Sequence, residues 1–446
     1  MPPGGGGIRI RAPFPVYDRL AFDTPATPRA MASSWIRRLR PAAAALLLAA
    51  GAVPAAAQHE HAPEAPAVHW GVHAVLLGSR VSPGVGGGPV TEGYLTQPTL
   101  HAGFSARRAR LSGMLSISLE GLTLERGELG PGAYGEGYID RRHPHAYVHE
   151  AVLTLQPTRV LSVTAGRGFA PFGTDDPMTR PFVRFPVNHH LGQVLERIVM
   201  IGAARYGPAI VEGGLFSGGE PEDPGDLGSL DRFGDSWSAR LTLLPWPGLE
   251  VQASHASVTS PEFVVGEGWD QRKRSVSVRL ERQTTLGRAY ALAEWKRTTE
   301  LDDGERVFAF GSVLGEASLG RGGWSGALRM ERTDRPEEER RSAYRTPWPH
   351  VDAHVLGISR WLIGALRLQR DMAWRRFRAA PFAELAYARV SMKAEGLFDP
   401  REWYGDDTFT SVSLGVRLGA GTGVGRMGRY GVAVPRGADR TVAETR

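Results

Sequence analysis

A long irregular stretch between two alternating apolar and polar runs holds the side chains best suited to act on a solute. It follows Gly166 and reaches Arg197, and it is rich in proline, glycine, aromatic and charged residues. A compact domain rarely keeps a loop of about 25 residues without a use. Carboxylates, guanidinium groups and imidazoles in such a loop can select ions or polar solutes by charge. The candidate residues are Asp175, Asp176, Arg180, Arg184, His189 and His190.

Prolines punctuate this stretch and stiffen it, because each proline ring fixes one backbone φ angle. They are Pro171, Pro177, Pro181 and Pro186. A stiff, charged loop is suited to narrowing an opening, so we predict a constriction loop. A surface loop that points outward is the alternative.

Histidines form a second candidate site. His143, His145 and His149 lie within seven residues, and neutral imidazole is a ligand for zinc or copper. No histidine spacing here matches a zinc-protease or deaminase motif. Pro144 favours an ordinary polar loop instead, so metal binding remains one of two open interpretations.

Catalytic patterns are not apparent. Ser254-His255 and His149-Glu150 are adjacent pairs, but a nucleophile and its base must converge in space, which adjacency does not show. The sequence has no Gly-x-Ser-x-Gly elbow and no glycine-rich phosphate loop. We therefore predict a protein that is not an enzyme and uses no cofactor.

The elements that must position these residues show strict two-residue alternation, which predicts strands with one apolar face. Serine, threonine and arginine alternate with leucine, valine, isoleucine and tryptophan. The clearest runs are 111–119, 160–166, 236–243, 275–281 and 411–418.

Strand length and loop rhythm favour a membrane barrel over a soluble sandwich. The predicted strands run about 9–12 residues, enough to cross a bilayer while tilted. Short connections alternate with eight long ones, as in barrels with short periplasmic turns and long outer loops. The long connections are near 79–92, 120–146, 168–192, 217–235, 258–272, 299–306, 333–351 and 392–408.

Eight long connections imply an all-β, transmembrane, antiparallel up-and-down β-barrel of about 16 strands. Residues 363–380 are basic and alternate poorly, so 14 or 18 strands remain possible. With the first connection long, both ends of the barrel chain fall on the periplasmic side.

The flanking segments divide the chain further. Residues 1–30 lack periodicity and read as an over-extended start, with a real N-terminal extension as the alternative. Residues 31–57 have the basic start, short apolar core and small residues of an export signal. Residues 58–69 are a His-rich periplasmic N-terminus, 70–420 the barrel, and 421–446 a periplasmic tail.

The formal charge of +6 does not indicate a nucleic-acid partner. Residues 1–57 carry seven Arg and two Asp, a net +5, and 421–446 carry five Arg against one Asp and one Glu, a net +3. The remainder, 6 − 5 − 3, is −2. The basic balance thus belongs to the leader and the tail, and we predict no nucleic-acid binding.

Charged residues opposite the apolar strand positions are predicted to face the lumen. A charge facing lipid near the bilayer midplane costs about 2–4 kcal/mol. The predicted lumen residues are Glu120, Arg240, Glu250, Arg279, Glu281, Arg329, Glu331 and Arg417. Their mixed signs indicate either a hydrated, charge-screening pore or a plugged barrel whose charges pair with one another.

By its predicted signal peptide, its strand rhythm and the segment Gly166-Arg-Gly-Phe-Ala-Pro-Phe-Gly173, the chain resembles outer-membrane porin-like proteins. The segment is similar to a strand end of phosphate-selective-type porins and their uncharacterised relatives, and 175–179 continue the likeness. In such porins the third loop folds inward and narrows the pore. Here only Lys273, Lys296 and Lys393 are lysines, so phosphate selectivity is not supported.

These features predict a passive porin-like channel of the cell outer membrane for small polar solutes. The alternatives are a receptor or transporter for a metal ion or chelate, and a closed structural or adhesive barrel. The implied partners are membrane lipid, lipopolysaccharide and the barrel-assembly machinery. A homotrimer is a porin habit and would follow from the resemblance.

Overall fold

The computed structural model describes most of the predicted barrel region and part of the segment after it. The described residues are 68–83, 88–106, 110–119, 147–174, 177–184, 186, 194, 196–220, 225–261, 268–338, 355–393, 399, 401–402, 405–421 and 426–434. The predicted leader, 1–57, lies outside them.

Sixteen strands make up the fold. They are β1 (Val68–Ser82), β2 (Val90–Ala106), β3 (Leu111–Ser118), β4 (Val148–Leu155), β5 (Leu161–Gly168), β6 (Arg197–Tyr206), β7 (Ala209–Phe216), β8 (Ser236–Leu243), β9 (Leu249–Val258), β10 (Asp270–Thr284), β11 (Gly287–Asp302), β12 (Glu305–Arg321), β13 (Trp324–Glu338), β14 (Val355–Arg370, continued by Met372–Trp374), β15 (Phe377–Met392) and β16 (Thr408–Gly421). The two pieces of β14 share one register, because Gln369 pairs with Phe382 and Met372 with Ala379.

Every strand pairs antiparallel with its neighbours in sequence, and β16 pairs with β1 from Gly71 opposite Gly421 to Ser82 opposite Thr410. The sheet therefore closes on itself and leaves no unpaired edge. Closure satisfies the backbone hydrogen bonds without help from water, as a membrane-spanning sheet requires. The prediction of an all-β up-and-down barrel with 16 strands is confirmed.

The two faces of the barrel have opposite chemistry. On β10, Val276 and Val278 are 46% and 43% exposed, whereas Ser275 and Ser277 are buried on the inner side. The same alternation runs through the other strands, with apolar side chains outward and polar ones inward. This is the reverse of a soluble protein and is the pattern of a transmembrane barrel. No described helix has the length and hydropathy to cross a membrane.

The connections fall into two groups at opposite ends of the barrel. We call the end with the tight turns, such as Tyr206–Ala209 and Arg321–Trp324, the turn end, and the other the loop end. The first strand begins and the last strand ends at the turn end.

One predicted long connection, 299–306, is instead a tight turn. Asp302 pairs with Glu305, and Asp303 and Gly304 take φ angles of +48° and +83°. An Asp-Gly pair suits a turn with two left-handed residues, so β11 and β12 simply continue to 16 and 17 residues. In the poorly alternating region, Trp374 pairs with Phe377 across a two-residue turn, which supplies the hairpin that was in doubt.

The outward face generates a test of the membrane assignment. Replacing Val278 with Arg places a charge in the apolar band and should reduce the unfolding free energy by about 2–4 kcal/mol. The measurement is urea-dependent unfolding in phospholipid vesicles, with Val278→Leu as the control. Equal stability of the two variants would show that this face does not contact lipid.

Candidate functional site

The segment 166–173 turns the chain from the wall into the lumen at the loop end of β5. Gly166 has a φ of +135°, and a Cβ there would lie 2.2 Å from the carbonyl oxygen of Ala151. Pro171 lies so close to Gly214 of β7 that a Cβ at Gly214 would lie 2.7 Å from the Pro171 ring. These glycines therefore permit the close approach of the turning chain to the wall.

One aromatic residue of this turn is buried in an apolar cluster on the inner wall. Phe172 joins Val152, Val199 and Phe216 in it, together with Tyr430 from the C-terminal segment. The cluster is one of the few apolar patches on a mostly polar inner face. It holds the start of the third long loop against strands β4, β6 and β7.

Beyond Gly173 the third loop follows the inner wall towards β12. The Gly173 amide donates to the Ser254 hydroxyl at 3.0 Å, and the Thr174 hydroxyl donates to Glu294. Arg180 then pairs with Glu294 at 3.1 Å and with Glu316 at 3.2 Å. The loop is thus tied in turn to β9, β11 and β12.

The charges around Arg180 form a compact buried network. Lys296 pairs with Glu294 at 2.6 Å, and Arg329 pairs with Glu316 at 3.1 Å. Burial disfavours the charged form of Arg180, but Glu294 and Glu316 outweigh it and raise the pKa of its guanidinium above the usual value. Arg180 therefore stays charged, and the loop is anchored by ion pairs that water does not screen.

Residues 182–184 of the loop reach the opposite wall. The Val183 amide donates to Glu384 at 3.0 Å, and its carbonyl accepts from Gln97 at 3.1 Å. Arg184 donates to Ser411 at 2.8 Å, while its carbonyl accepts from Arg329 at 2.7 Å. Phe182 lies beneath the Arg329 guanidinium at 4.6 Å, a cation–π distance. The described residues 169–174 and 177–184 therefore form a belt inside the barrel from β5 round to β16 and β2.

The other half of the lumen is occupied by residues 426–434 of the C-terminal segment. Arg426 forms two hydrogen bonds to Glu250, at 2.8 and 2.9 Å. Arg429 lies between Glu250 at 3.1 Å and Glu212 at 3.4 Å. Arg240 completes the group with a two-pronged pair to Glu212, at 2.6 Å for each bond. Charged side chains of the segment thus match carboxylates on β7 and β9.

Tyr430 joins the two inserted segments. Its hydroxyl donates to Glu150 at 2.7 Å and accepts from the Phe169 amide at 3.1 Å. The Gly428 amide also donates to Glu150, at 3.0 Å. Burial, with the Glu150 carboxylate adding to it, raises the pKa of Tyr430 well above its usual value, so the phenol remains a donor.

The prediction of a periplasmic tail over 421–446 is therefore wrong for residues 426–434. The tail lacks strand alternation, which is why it was placed outside the barrel. The overlooked signal was the trio Arg426, Arg429 and Tyr430, whose polar groups complement inward carboxylates on several strands. Residues 435–446 lie outside the described residues.

The predicted lumen residues take inward positions wherever the structure describes them. Arg240, Glu250, Arg329 and Glu331 are buried on the inner face. Arg279 pairs with Glu281 at 3.0 Å, and Arg417 donates to the carbonyl of Arg180 at 3.4 Å. Glu120 lies outside the described residues.

Of the predicted constriction residues, the structure brings Arg180 and Arg184 onto the inner wall. Asp175, Asp176, His189 and His190 lie outside the described residues. Among the predicted metal ligands, His143 and His145 also lie outside them. His149, on β4, bonds through Nδ1 to Glu196 at 2.5 Å. The described residues contain no group of three side chains suited to a metal ion.

The inward carboxylates that anchor the inserts were missed. On their own strands they occupy the same alternating, inward positions as the predicted lumen residues. Two-residue alternation could therefore have identified them. They are Glu150, Glu212, Glu294, Glu316 and Glu384.

No protein-family model matches the chain, and no curated protein matches its sequence. Solved structures do match its fold. OprB of Pseudomonas putida aligns over 79% of this chain and 94% of its own, with 10% identity and a TM-score of 0.51. An anion-selective porin from Comamonas acidovorans covers 79% and 99%, with 11% identity and a TM-score of 0.46. OmpT of Vibrio cholerae, in its trimer form, covers 80% and 100%, with 11% identity and a TM-score of 0.44. At such identities the shared feature is a porin-like barrel.

The role of Tyr430 can be tested by removing its hydroxyl. Tyr430→Phe leaves the buried Glu150 carboxylate and the Phe169 amide short of a partner, so we expect a loss of about 1–3 kcal/mol. Thermal unfolding in detergent measures it. Tyr387→Phe, at an outward position 54% exposed, is the matched control. Equal melting temperatures for the two variants would show that the C-terminal segment does not depend on this contact.

Proposed function

We propose that the protein is a narrow, porin-like channel of the outer membrane through which small polar solutes diffuse passively. One observation carries the proposal: a closed barrel has an apolar outer face and an inner face lined by charged side chains. Such a wall suits polar solutes and repels apolar ones. The protein catalyses no reaction in this proposal and uses no cofactor.

The inserted segments suggest how such a channel would select. The belt of residues 169–174 and 177–184 narrows one half of the lumen, and residues 426–434 occupy the other. The inward charges have both signs, as at Arg180 beside Glu294 and Arg240 beside Glu212. We therefore expect selection by size with weak ion preference. The mixed signs do not favour the phosphate-selective behaviour of the porins that the segment 166–173 resembles.

The proposed location in the outer membrane implies binding partners for the protein. The outward apolar band would contact membrane lipid, and the loop end would face lipopolysaccharide. The export signal predicted over 31–57 would bring the chain to the barrel-assembly machinery. Assembly as a homotrimer is part of the proposal, and the mass of the protein in mild detergent tests it.

A closed structural barrel is the second candidate, because charged side chains in both halves of the lumen are almost fully buried. Arg329 is 2% exposed and Arg240 is 3% exposed. Buried charges that pair only with each other and with the inserts would seal the barrel. The metal-receptor alternative has no comparable support among the described residues.

Planar-bilayer conductance of the full protein, purified as the cell exports it, tests the proposal. A diffusion channel should give stepwise openings, small for a 16-stranded barrel because both halves of the lumen are narrowed. Correctly folded protein that stays silent would favour the closed barrel.

Truncation separates the two candidates further. Removing residues 422–446 deletes the lumen segment, and we expect single-channel conductance to rise about twofold or more, because lumen width governs ion flow. Removing only 435–446 keeps Arg426, Arg429 and Tyr430 in place and serves as the matched control. If the longer truncation also stays silent although folded, the channel proposal fails.

A further inference from the structure

Three arginines and one histidine form a compact group on the outward face near the loop end. Arg272 and Arg274 lie two residues apart on β10, and Arg274 is directly opposite Arg297 of β11 and His255 of β9. All three arginines are exposed. We call these four residues the outward arginine cluster.

The cluster brings like charges together, and no carboxylate of the described residues forms an ion pair with them. Like charges directly opposite each other on neighbouring strands are destabilising. The outward partners around them are neutral, including Ser257, Trp295 and Gly311. Asp270 begins β10, but it accepts the Ser260 amide at 3.2 Å and forms no ion pair with a described arginine. An anion from outside the protein would relieve this repulsion.

Several other basic residues at the loop end lie beside carboxylates of the protein. Asp334 pairs with Arg360 at 2.7 Å and with Lys393 at 3.0 Å. Asp407 pairs with Arg401 at 3.2 Å. These basic residues have carboxylate partners within the protein, whereas Arg272, Arg274 and Arg297 have none among the described residues.

The height of the cluster on the barrel indicates the source of the anion. On β10 the outward residues between Arg282 and Arg274 are all apolar: Leu280, Val278 and Val276. Eight residues of tilted strand rise about 20 Å, close to the height of the apolar band of a membrane barrel. Trp237 contacts the His255 ring at 5.2 Å between ring centroids, and tryptophan is enriched at membrane interfaces. The cluster therefore lies level with lipid headgroups.

We propose that the outward arginine cluster binds the phosphate groups of an anionic outer-leaflet lipid of the lipopolysaccharide type. Arginine matches phosphate with two parallel hydrogen bonds, and the opposed Arg274 and Arg297 present two such groups to one anion. The acyl chains then lie along Val276 and Val278. The inference rests on the proposed outer-membrane location and orientation, but it does not depend on whether the lumen conducts.

The test is native mass spectrometry of the full protein titrated with bisphosphorylated lipid A in detergent. The double variant Arg274→Gln with Arg297→Gln should bind lipid A about thirtyfold more weakly, because each basic residue near a lipid surface contributes about 1 kcal/mol. Arg282→Gln with Arg321→Gln removes the same charge from exposed positions at the turn end and should bind like the unchanged protein. Equal affinity of the two double variants would overturn the proposal.

Two further titrations in the same experiment identify the ligand. Lipid A stripped of its phosphates should bind the unchanged protein no better than the double variant binds intact lipid A. Equal binding of the stripped lipid would reduce the contact to apolar adsorption and contradict the proposal. Millimolar inorganic phosphate should not displace lipid A, since the lipid is also held by its chains, and displacement would contradict a lipid-specific site. Conductance measured on the same variants separates this outcome from the proposed channel function.

Discussion

The closed hydrogen-bonded sheet is the constraint on which the rest of this structure depends. In a bilayer no water can satisfy a free backbone group, so the pairing of β16 with β1 removes the edges that lipid could not tolerate. A closed barrel in lipid has an apolar outer face and a polar inner face, which is the reverse of a soluble protein. Because lipid takes the apolar side chains, most polar side chains in the middle of the strands lie inside. The barrel interior is therefore crowded with charged side chains, and the two inserted segments supply partners for them.

Charged groups inside such a barrel need partners where water is excluded, because removing one member of a buried pair costs about 3–5 kcal/mol. The third loop supplies Arg180 to Glu294 and Glu316, and the C-terminal segment supplies Arg429 to Glu212 and Glu250. In the proposed channel, the ion pairs that stabilise the barrel would also set the width of the lumen. Stability and permeability would then be linked, because the same inserted segments affect both.

The sequence predicted the barrel well because two-residue alternation is a local signal that repeats on many strands. It predicted the inward side of Arg240 and Arg329 for the same reason. It misjudged 299–306 because a charged Asp-Asp-Gly run resembles a long loop, although Asp-Gly also makes a tight turn. It misplaced residues 426–434 because a segment without periodicity carries no local sign of what it packs against. The partner of Arg426, Glu250, lies on β9, 176 residues earlier, and only the closed fold brings the two together.

The meeting of the two inserts at Tyr430 has a physical consequence for the lumen. The phenol bonds both to Glu150 on the wall and to the backbone amide of Phe169, where the third loop turns inward. The start of the belt is therefore held partly by the C-terminal segment and partly by the apolar cluster around Phe172. Withdrawal of the C-terminal segment would expose Glu212 and Glu250 and would also remove one anchor of the third loop. The two inserted segments thus meet at Tyr430, so a change in one would alter the part of the lumen that the other occupies.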